Sequence, residues 1–191
     1  MIDRLLYESL VNFYDDEYNK NKLKDILLSN DNKISLRSID WFITNYSKKN
    51  NIFYTTYYNK TINSYDFHKQ GDDDITKNVN VYLSYKSQLK AYSKKKFDPF
   101  CRRDRITFDI DDDIVETTIG QLNFFKWAIE NMIIEYVIKN KKDIEKDMNN
   151  SLKISKNSHK KNDERKKRQE LSLSATRGLS RTNVAIRLDF D

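Results

Sequence analysis

The sequence predicts an α+β fold, with one small sheet of about three to four strands packed with two to four helices, followed by a disordered basic C-terminal arm. Three observations carry this. Apolar residues recur at spacings of three and four near the N-terminus and again from Thr118 onward. Between them, from Ile52 to Ile110, β-branched and aromatic residues take over. Beyond Lys141 the apolar content collapses. A chain of 191 residues with 38% hydrophobic and 13% aromatic side chains can build one core, while 34% charged residues and a mean hydropathy of -0.85 require that part of it stays solvated.

Leu5, Leu6, Leu10, Phe13 and Tyr14 open the chain at helical spacing, and Leu23, Ile26 and Leu27 resume the pattern after a polar break around Asp15 to Lys22. This reads as one interrupted helix or two short ones. Ser35 is a plausible N-cap for a helix from about 36 to 48, in which Leu36, Ile39, Trp41, Phe42, Ile43 and Tyr46 form a dense apolar segment. IFYTTYYNKTI from Ile52 to Ile62 and VNVYLSY from Val79 to Tyr85 read as strands. SYDFHKQGDDD between them reads as an exposed turn around Gly71. ITFDI from Ile106 to Ile110 alternates as a half-buried strand does, and Asp111-Asp112-Asp113 ends it.

The strongest periodic signal follows from Thr118, with Ile119, Leu122, Phe125, Ile129, Met132, Ile133, Tyr136 and Val137 on one helical stripe. Phe124, Trp127 and Ile138 lie outside that stripe, so this helix is either covered on two sides or shows a face to a partner. The expected organisation is a folded domain over 1–148, a disordered basic arm over 149–170 and a C-terminal segment, 171–191, that regains Leu, Val, Ile and Phe and could dock on the body or on another chain.

Several classes of chemistry are excluded by composition. One cysteine, Cys101, closes no intramolecular disulfide and, with His68 and His159 far apart, builds no Cys/His zinc set. Three glycines and no phosphate-loop motif argue against a nucleotide-hydrolysing enzyme. The start of the chain lacks a cationic segment followed by an apolar run, so secretion is not expected. The most apolar window, Ile119 to Ile138, is broken by six polar residues and does not predict a membrane span. The carboxylates Asp72-Asp73-Asp74 and Asp109, Asp111, Asp112, Asp113 and Glu116 are the only candidate magnesium or calcium ligands. A solvated strand end is the weightier reading, and neither metal nor cofactor is expected.

Charge is the more informative signal. Residues 151–191 hold 11 Lys/Arg against 5 Asp/Glu, which leaves 24 of each sign in 1–150 and places the whole net charge of +6 in the tail. Such a layout suits contact with polyanions. The tail's candidate phosphate-contacting residues are Lys160, Lys161, Arg165, Lys166, Lys167 and Arg168. Within the body, Lys86 to Arg105 carries eight Lys/Arg against Asp98 and Asp104, interleaved with Tyr92, Phe97 and Phe100. Its candidates are Lys94, Lys95, Lys96, Arg102, Arg103 and Arg105, since cations beside flat rings can neutralise phosphates and stack on bases. The competing reading is internal pairing of the Arg cluster with Asp109 to Glu116. Asp98-Pro99 reads as a rigid turn, and Cys101 as an ordinary thiol.

The segments SLRSIDWFITNYSKKNNI (35–52), YKSQLKAYSKKKFDPFCRRDRI (85–106) and TTIGQLNFFKWAIENMIIEYV (117–137) resemble an uncharacterised group of small proteins from large double-stranded DNA viruses of protists, the giant viruses. The Lys/Asn bias suits such genomes. The resemblance implies a viral context, hence the host cytoplasm at the viral factory or the virion, and it transfers no site residues. Together with the charge pattern it makes a non-enzymatic, nucleic-acid-associated or virion protein the leading expectation, with DNA favoured over RNA. The alternative is a capsid, scaffold or assembly component that contacts viral structural proteins or forms homo-oligomers through the Trp41 and Trp127 helices. A metal-dependent enzyme using the Asp clusters is the third.

Overall fold

Nine of the twelve residues of Ile119–Glu130 are buried, among them Phe124, Phe125 and Trp127. A surface helix buries one stripe; this one leaves only Ile119, Lys126 and Glu130 partly exposed and is the axis of the fold. The computed structural model describes residues 4–28, 34–60, 63–72, 74–111 and 113–160. In chain order the elements are α1 (Arg4–Tyr14), α2 (Glu17–Leu28), α3 (Leu36–Trp41), a π-helical turn (Phe42–Tyr46), α4 (Ser47–Lys49), β1 (Phe53–Asn59), β2 (Ser64–Asp66), β3 (Ile75–Asn80), α5 (Val81–Lys96), β4 (Ile106–Ile110), β5 (Asp113–Thr117), α6 (Ile119–Glu130), α7 (Ile133–Lys139) and α8 (Lys141–Lys160). The chain divides into two compact units, Met1–Leu152 and Lys153–Asp191. All that follows on packing concerns the first.

The α+β class is borne out, with the strands divided between two antiparallel sheets, one of order β2-β1-β3 and a hairpin β4-β5. Around α6, the Tyr14 hydroxyl of α1 donates to the Leu122 carbonyl at 2.7 Å, and the Trp127 indole N–H donates to Ser84 Oγ of α5 at 2.9 Å. Phe97, just past α5, packs its ring on Phe124 and Trp127 with centroids 5.3 and 5.5 Å apart. From β1 the Tyr54 hydroxyl donates to the Asn131 carbonyl at 2.7 Å, and its ring stacks on Tyr136, which stacks on Phe42. The two-sided cover expected for the Thr118 helix is thus observed for Phe124 and Trp127, whereas Ile138 stays exposed. Truncating Phe125, which is fully buried, to Ala would cost about 3–5 kcal/mol.

Three local readings are corrected. The strand expected over Val79 to Tyr85 ends at Asn80. There the side-chain oxygen accepts from the Leu83 N–H at 3.0 Å, an N-cap that turns the chain into α5. Leu83, Gln88, Leu89, Lys90 and Ala91 then favour helix more than the β-branched start favours strand. The turn expected at 64–74 contains β2, whose Tyr65 lies opposite Tyr58 and so completes the sheet. β4 ends at Ile110 ahead of the acidic run, as expected, and β5 pairs back on it from Asp113, with Asp111 at φ 54°. The helix from Thr118 is two helices: Asn131 Nδ2 donates back to the Trp127 carbonyl and Met132 takes the left-handed conformation, φ 54°, before α7 begins.

The arm expected from residue 149 begins inside α8. Ile144 is buried, Met148 and Leu152 follow at spacings of four, and Lys141 pairs with Glu145, so a polar sequence still sustains a helix to Lys160. The remainder of that arm and the segment 171–191 lie outside the described residues.

Candidate polyanion interface

Helix α5 carries Lys86, Lys90, Lys94, Lys95 and Lys96 and no acidic residue. All five lysines are exposed. The attraction of a helix C-terminus for cations accounts for Lys94 to Lys96 in the last turn. It does not account for Lys86 and Lys90, which lie one turn apart on a single face in the middle of the helix. At Ser93 the backbone leaves helical geometry, φ 60° and ψ 168°, so Lys94 to Lys96 form a separate turn.

That turn is clamped onto α6 by backbone contacts. Asn123 Nδ2 donates to the Lys96 carbonyl at 2.8 Å, the Asp98 N–H donates to the Gly120 carbonyl at 3.1 Å, and Gln121 Nε2 donates to the Pro99 carbonyl at 2.9 Å. Gln121 is itself oriented by the Thr117 hydroxyl at 2.8 Å. The α6 N-terminus therefore fixes where the basic turn and the loop after it sit. Asp98 and Pro99 are both buried, so the turn anchors the loop to the core.

The arginines separate into two kinds. Asp98 accepts from Arg102 Nε at 2.9 Å and Nη2 at 2.8 Å while also accepting the Phe100 N–H, and the guanidinium lies 4.7 Å from the centre of the Phe100 ring. The bond to Asp98 holds the Arg102 pKa above its ordinary value. Arg102 is thus a loop clamp with one exposed side. Arg105 pairs with Glu116 across the β4-β5 hairpin, as the competing reading of internal pairing expects. Arg103 is exposed and makes no ion pair among the described residues. Lys94 and Arg102 lie within electrostatic reach of Asp40, whose carboxyl is pushed up by burial and drawn back by Arg102 and Lys94. Burial, followed by the charges of Asp40 and Asp98, pushes the Tyr85 hydroxyl beside them to about 12.

Of the residues expected to contact phosphate, Lys94, Lys95, Lys96, Arg102 and Arg103 are brought together at the end of α5 and the loop behind it, and Arg105 is tied into the hairpin. Lys160 is the last residue of α8, with its side chain outside the described set. Lys161, Arg165, Lys166, Lys167 and Arg168 also lie outside it. Lys86 and Lys90 are the site residues that reading 79–85 as a strand obscures. Their spacing of four is the signal that identifies a helix face.

The acidic clusters do other work. Asp111 pairs with Lys20 at 3.2 Å and Asp113 with Lys24 at 2.7 Å, which ties the hairpin to α2. Asp74 accepts the N–H groups of Gln70 and Gly71 at 2.7 and 2.9 Å and shapes the β2-β3 loop. Among the described residues no group of three or more His, Cys, Asp or Glu side chains could hold a metal ion.

Comparison with known proteins places the chain. Residues 3–162 match a family of unknown function, DUF7197. The chain belongs to this family. It is similar to the uncharacterized protein L507 of Acanthamoeba polyphaga mimivirus, at 43% identity over 136 residues, which is 68% of this chain and 47% of that protein. The chain therefore spans about half the length of that relative. The resemblance to uncharacterised giant-virus proteins is thereby borne out. No solved structure matches. Among the described residues no helix is long and apolar enough to cross a membrane.

Proposed function

We propose that this viral-family protein is a non-enzymatic nucleic-acid-associated protein whose folded body contacts the phosphate backbone through α5. The observation that supports the reading most directly is the exposed set Lys86, Lys90 and Lys95 on a helix that contains no acidic residue, with Arg103 beyond it. Lysines at such positions neutralise phosphates without reading bases, so binding is sequence-tolerant and falls steeply with salt. The basic segment around Lys160 to Arg168 is a second, separate candidate for phosphate contact, with DNA the favoured ligand, at the viral factory or in the virion. The rival reading, a capsid or scaffold component joined through the tryptophan helices, has less support. Trp127 is buried, and the Trp41 indole N–H donates to Asp147 within the chain at 3.0 Å.

The test is affinity for a duplex measured against salt concentration. Replacing Lys86, Lys90 and Lys95 together by Gln should flatten the plot of log affinity against log salt by about 0.9 for each phosphate that is no longer neutralised. Neutralising Lys160, Lys161, Arg165, Lys166, Lys167 and Arg168 should flatten it independently. A parent protein that binds no DNA at about 50 mM salt would end the reading.

A further inference from the structure

Phe53 begins β1 and is 60% exposed, although it is a large aromatic on a strand with partners on one face. The ladder explains where it points. Tyr54, Thr56 and Tyr58 alternate with it, and Tyr54 and Thr56 turn inward to α6 and the core. Phe53, Thr55 and Tyr57 therefore share the outer face. Opposite them on β3 stand Asn80, Asn78 and Thr76, and Thr55 Oγ1 lies 2.9 Å from Asn78 Oδ1. Neither Phe53 nor Tyr57 packs against another ring among the described residues.

Phe53 pairs with Asn80, and Asn80 caps α5 through the Leu83 N–H, so the ring stands beside the first turn of α5. Leu83, 64% exposed, lies in that turn. Lys86 follows one turn along and Lys90 another, while Lys48 of α4 lies 5.5 Å from the Tyr82 ring at the same end. Phe53 and Leu83 are thus exposed apolar side chains at the end of the sheet from which α5 and its lysines lead away. At the far end of the sheet face Tyr57 stands opposite Asp66 of β2, which disfavours continuation of an anionic chain in that direction.

We propose that the Phe53 end of the outer sheet face is a base-stacking platform for single-stranded nucleic acid, with the backbone led from it onto Lys86 and Lys90. This rests on the reading of α5 as a phosphate-contacting helix and adds that the preferred ligand has unpaired bases. The physical reason is that an aromatic ring can stack only on a base whose face is uncovered, whereas lysines engage the phosphates of either form. Phosphate attraction and stacking serve DNA and RNA strands alike, so the shared chemistry is the single strand itself.

The experiment is fluorescence anisotropy of labelled DNA and RNA single strands of about 16 nucleotides, and of the matching DNA duplex, with the full chain. Phe53→Ala should weaken single-strand binding about ten-fold, the scale of removing one base–aromatic stack. It should leave the salt slope and duplex affinity unchanged, and Phe53→Tyr should restore the parent affinity. The side chain is exposed, so the fold should survive, and an unchanged melting curve verifies that. The strand on which the loss is greater identifies the nucleic acid. A parent that binds single strands with a salt slope but is indifferent to Phe53→Ala would overturn the platform and leave the phosphate reading standing. A parent that binds neither form would end both. Self-association that Phe53→Ala abolishes, without change in nucleic-acid affinity, would reassign the patch to a second copy of the chain.

Discussion

Gly120→Ala tests whether α6 really fixes the basic turn of α5. Gly120 is the second residue of α6, and replacing a helical glycine by alanine ordinarily stabilises by up to about 1 kcal/mol. Here a Cβ would lie 3.0 Å from the Lys95 carbonyl oxygen and 3.4 Å from the Lys96 carbonyl carbon and the Phe97 nitrogen. The sign depends on whether that backbone can retreat. It is held by the bonds from Asn123 to the Lys96 carbonyl and from the Asp98 N–H to Gly120 itself, and Phe97 is locked between Phe124 and Trp127. Overpacking of a site that cannot yield costs about 1–3 kcal/mol. After the helical gain is subtracted, a net destabilisation of about 1 kcal/mol is expected. Urea unfolding followed by tryptophan fluorescence reads it as a lower midpoint with an unchanged slope. A variant more stable than the parent would show that the Lys95 to Phe97 backbone moves freely and that α6 does not clamp the basic turn.

The remaining predictions concern strain and charge. Ser93→Gly should raise stability by about 1 kcal/mol, because φ 60° with ψ 168° is a region that only glycine enters without cost, and an unchanged urea midpoint would refute the kink. Two carboxylates should give opposite pH dependences of that midpoint. The bond from Lys49 holds Asp147 below its ordinary value, so its stabilisation is present above about 3.9 and is lost as pH falls through the lowered folded value; Asp147→Asn should remove that loss. Burial holds Glu130 above its ordinary value, so its contribution is present at low pH and lost as pH rises through the raised folded value; Glu130→Gln should be more stable than the parent at neutral pH and lose that advantage in acid.

The sequence reveals the core more fully than the surface. Leu122, Phe125, Ile129 and Ile133 are buried because an apolar period reports burial directly, and Ser35 caps its helix, accepting the Ser38 N–H at 3.0 Å, as its residue type and position suggest. The strand-to-helix change at Asn80 is hidden because Val79, Val81, Tyr82 and Tyr85 all favour strands locally. One side-chain hydrogen bond decides against them. The break at Met132 is hidden for a related reason: the apolar stripe continues across it, and periodicity does not register a single left-handed residue. For the site, residue type locates the cations but does not show which are already engaged. Arg102 and Arg105 differ from Arg103 only in having Asp98 and Glu116 opposite them, and Asp98 is brought there by a bond to Gly120 that no local pattern announces.

That partition of partners bears on the neutrality of residues 1–150, which would place any polyanion binding in the tail alone. A formal sum counts Asp111 and Asp113 against the lysines of α5, whereas the fold pairs them with Lys20 and Lys24 of α2. Likewise Glu135 is taken by Lys22, Asp147 by Lys49 and Glu116 by Arg105. Where such a pair is exposed on both sides, as Arg105–Glu116 is, it contributes about 0–1 kcal/mol, so its effect on stability is small. Their effect on the field is larger. At physiological salt a charge is felt over about 8 Å, so a phosphate lying on α5 responds to Lys86, Lys90 and Lys95 and not to the charge of the body as a whole. By pairing its acidic residues with other cations, the fold leaves a neutral body with a basic helix, and the charge that matters for binding is set by folding rather than by composition.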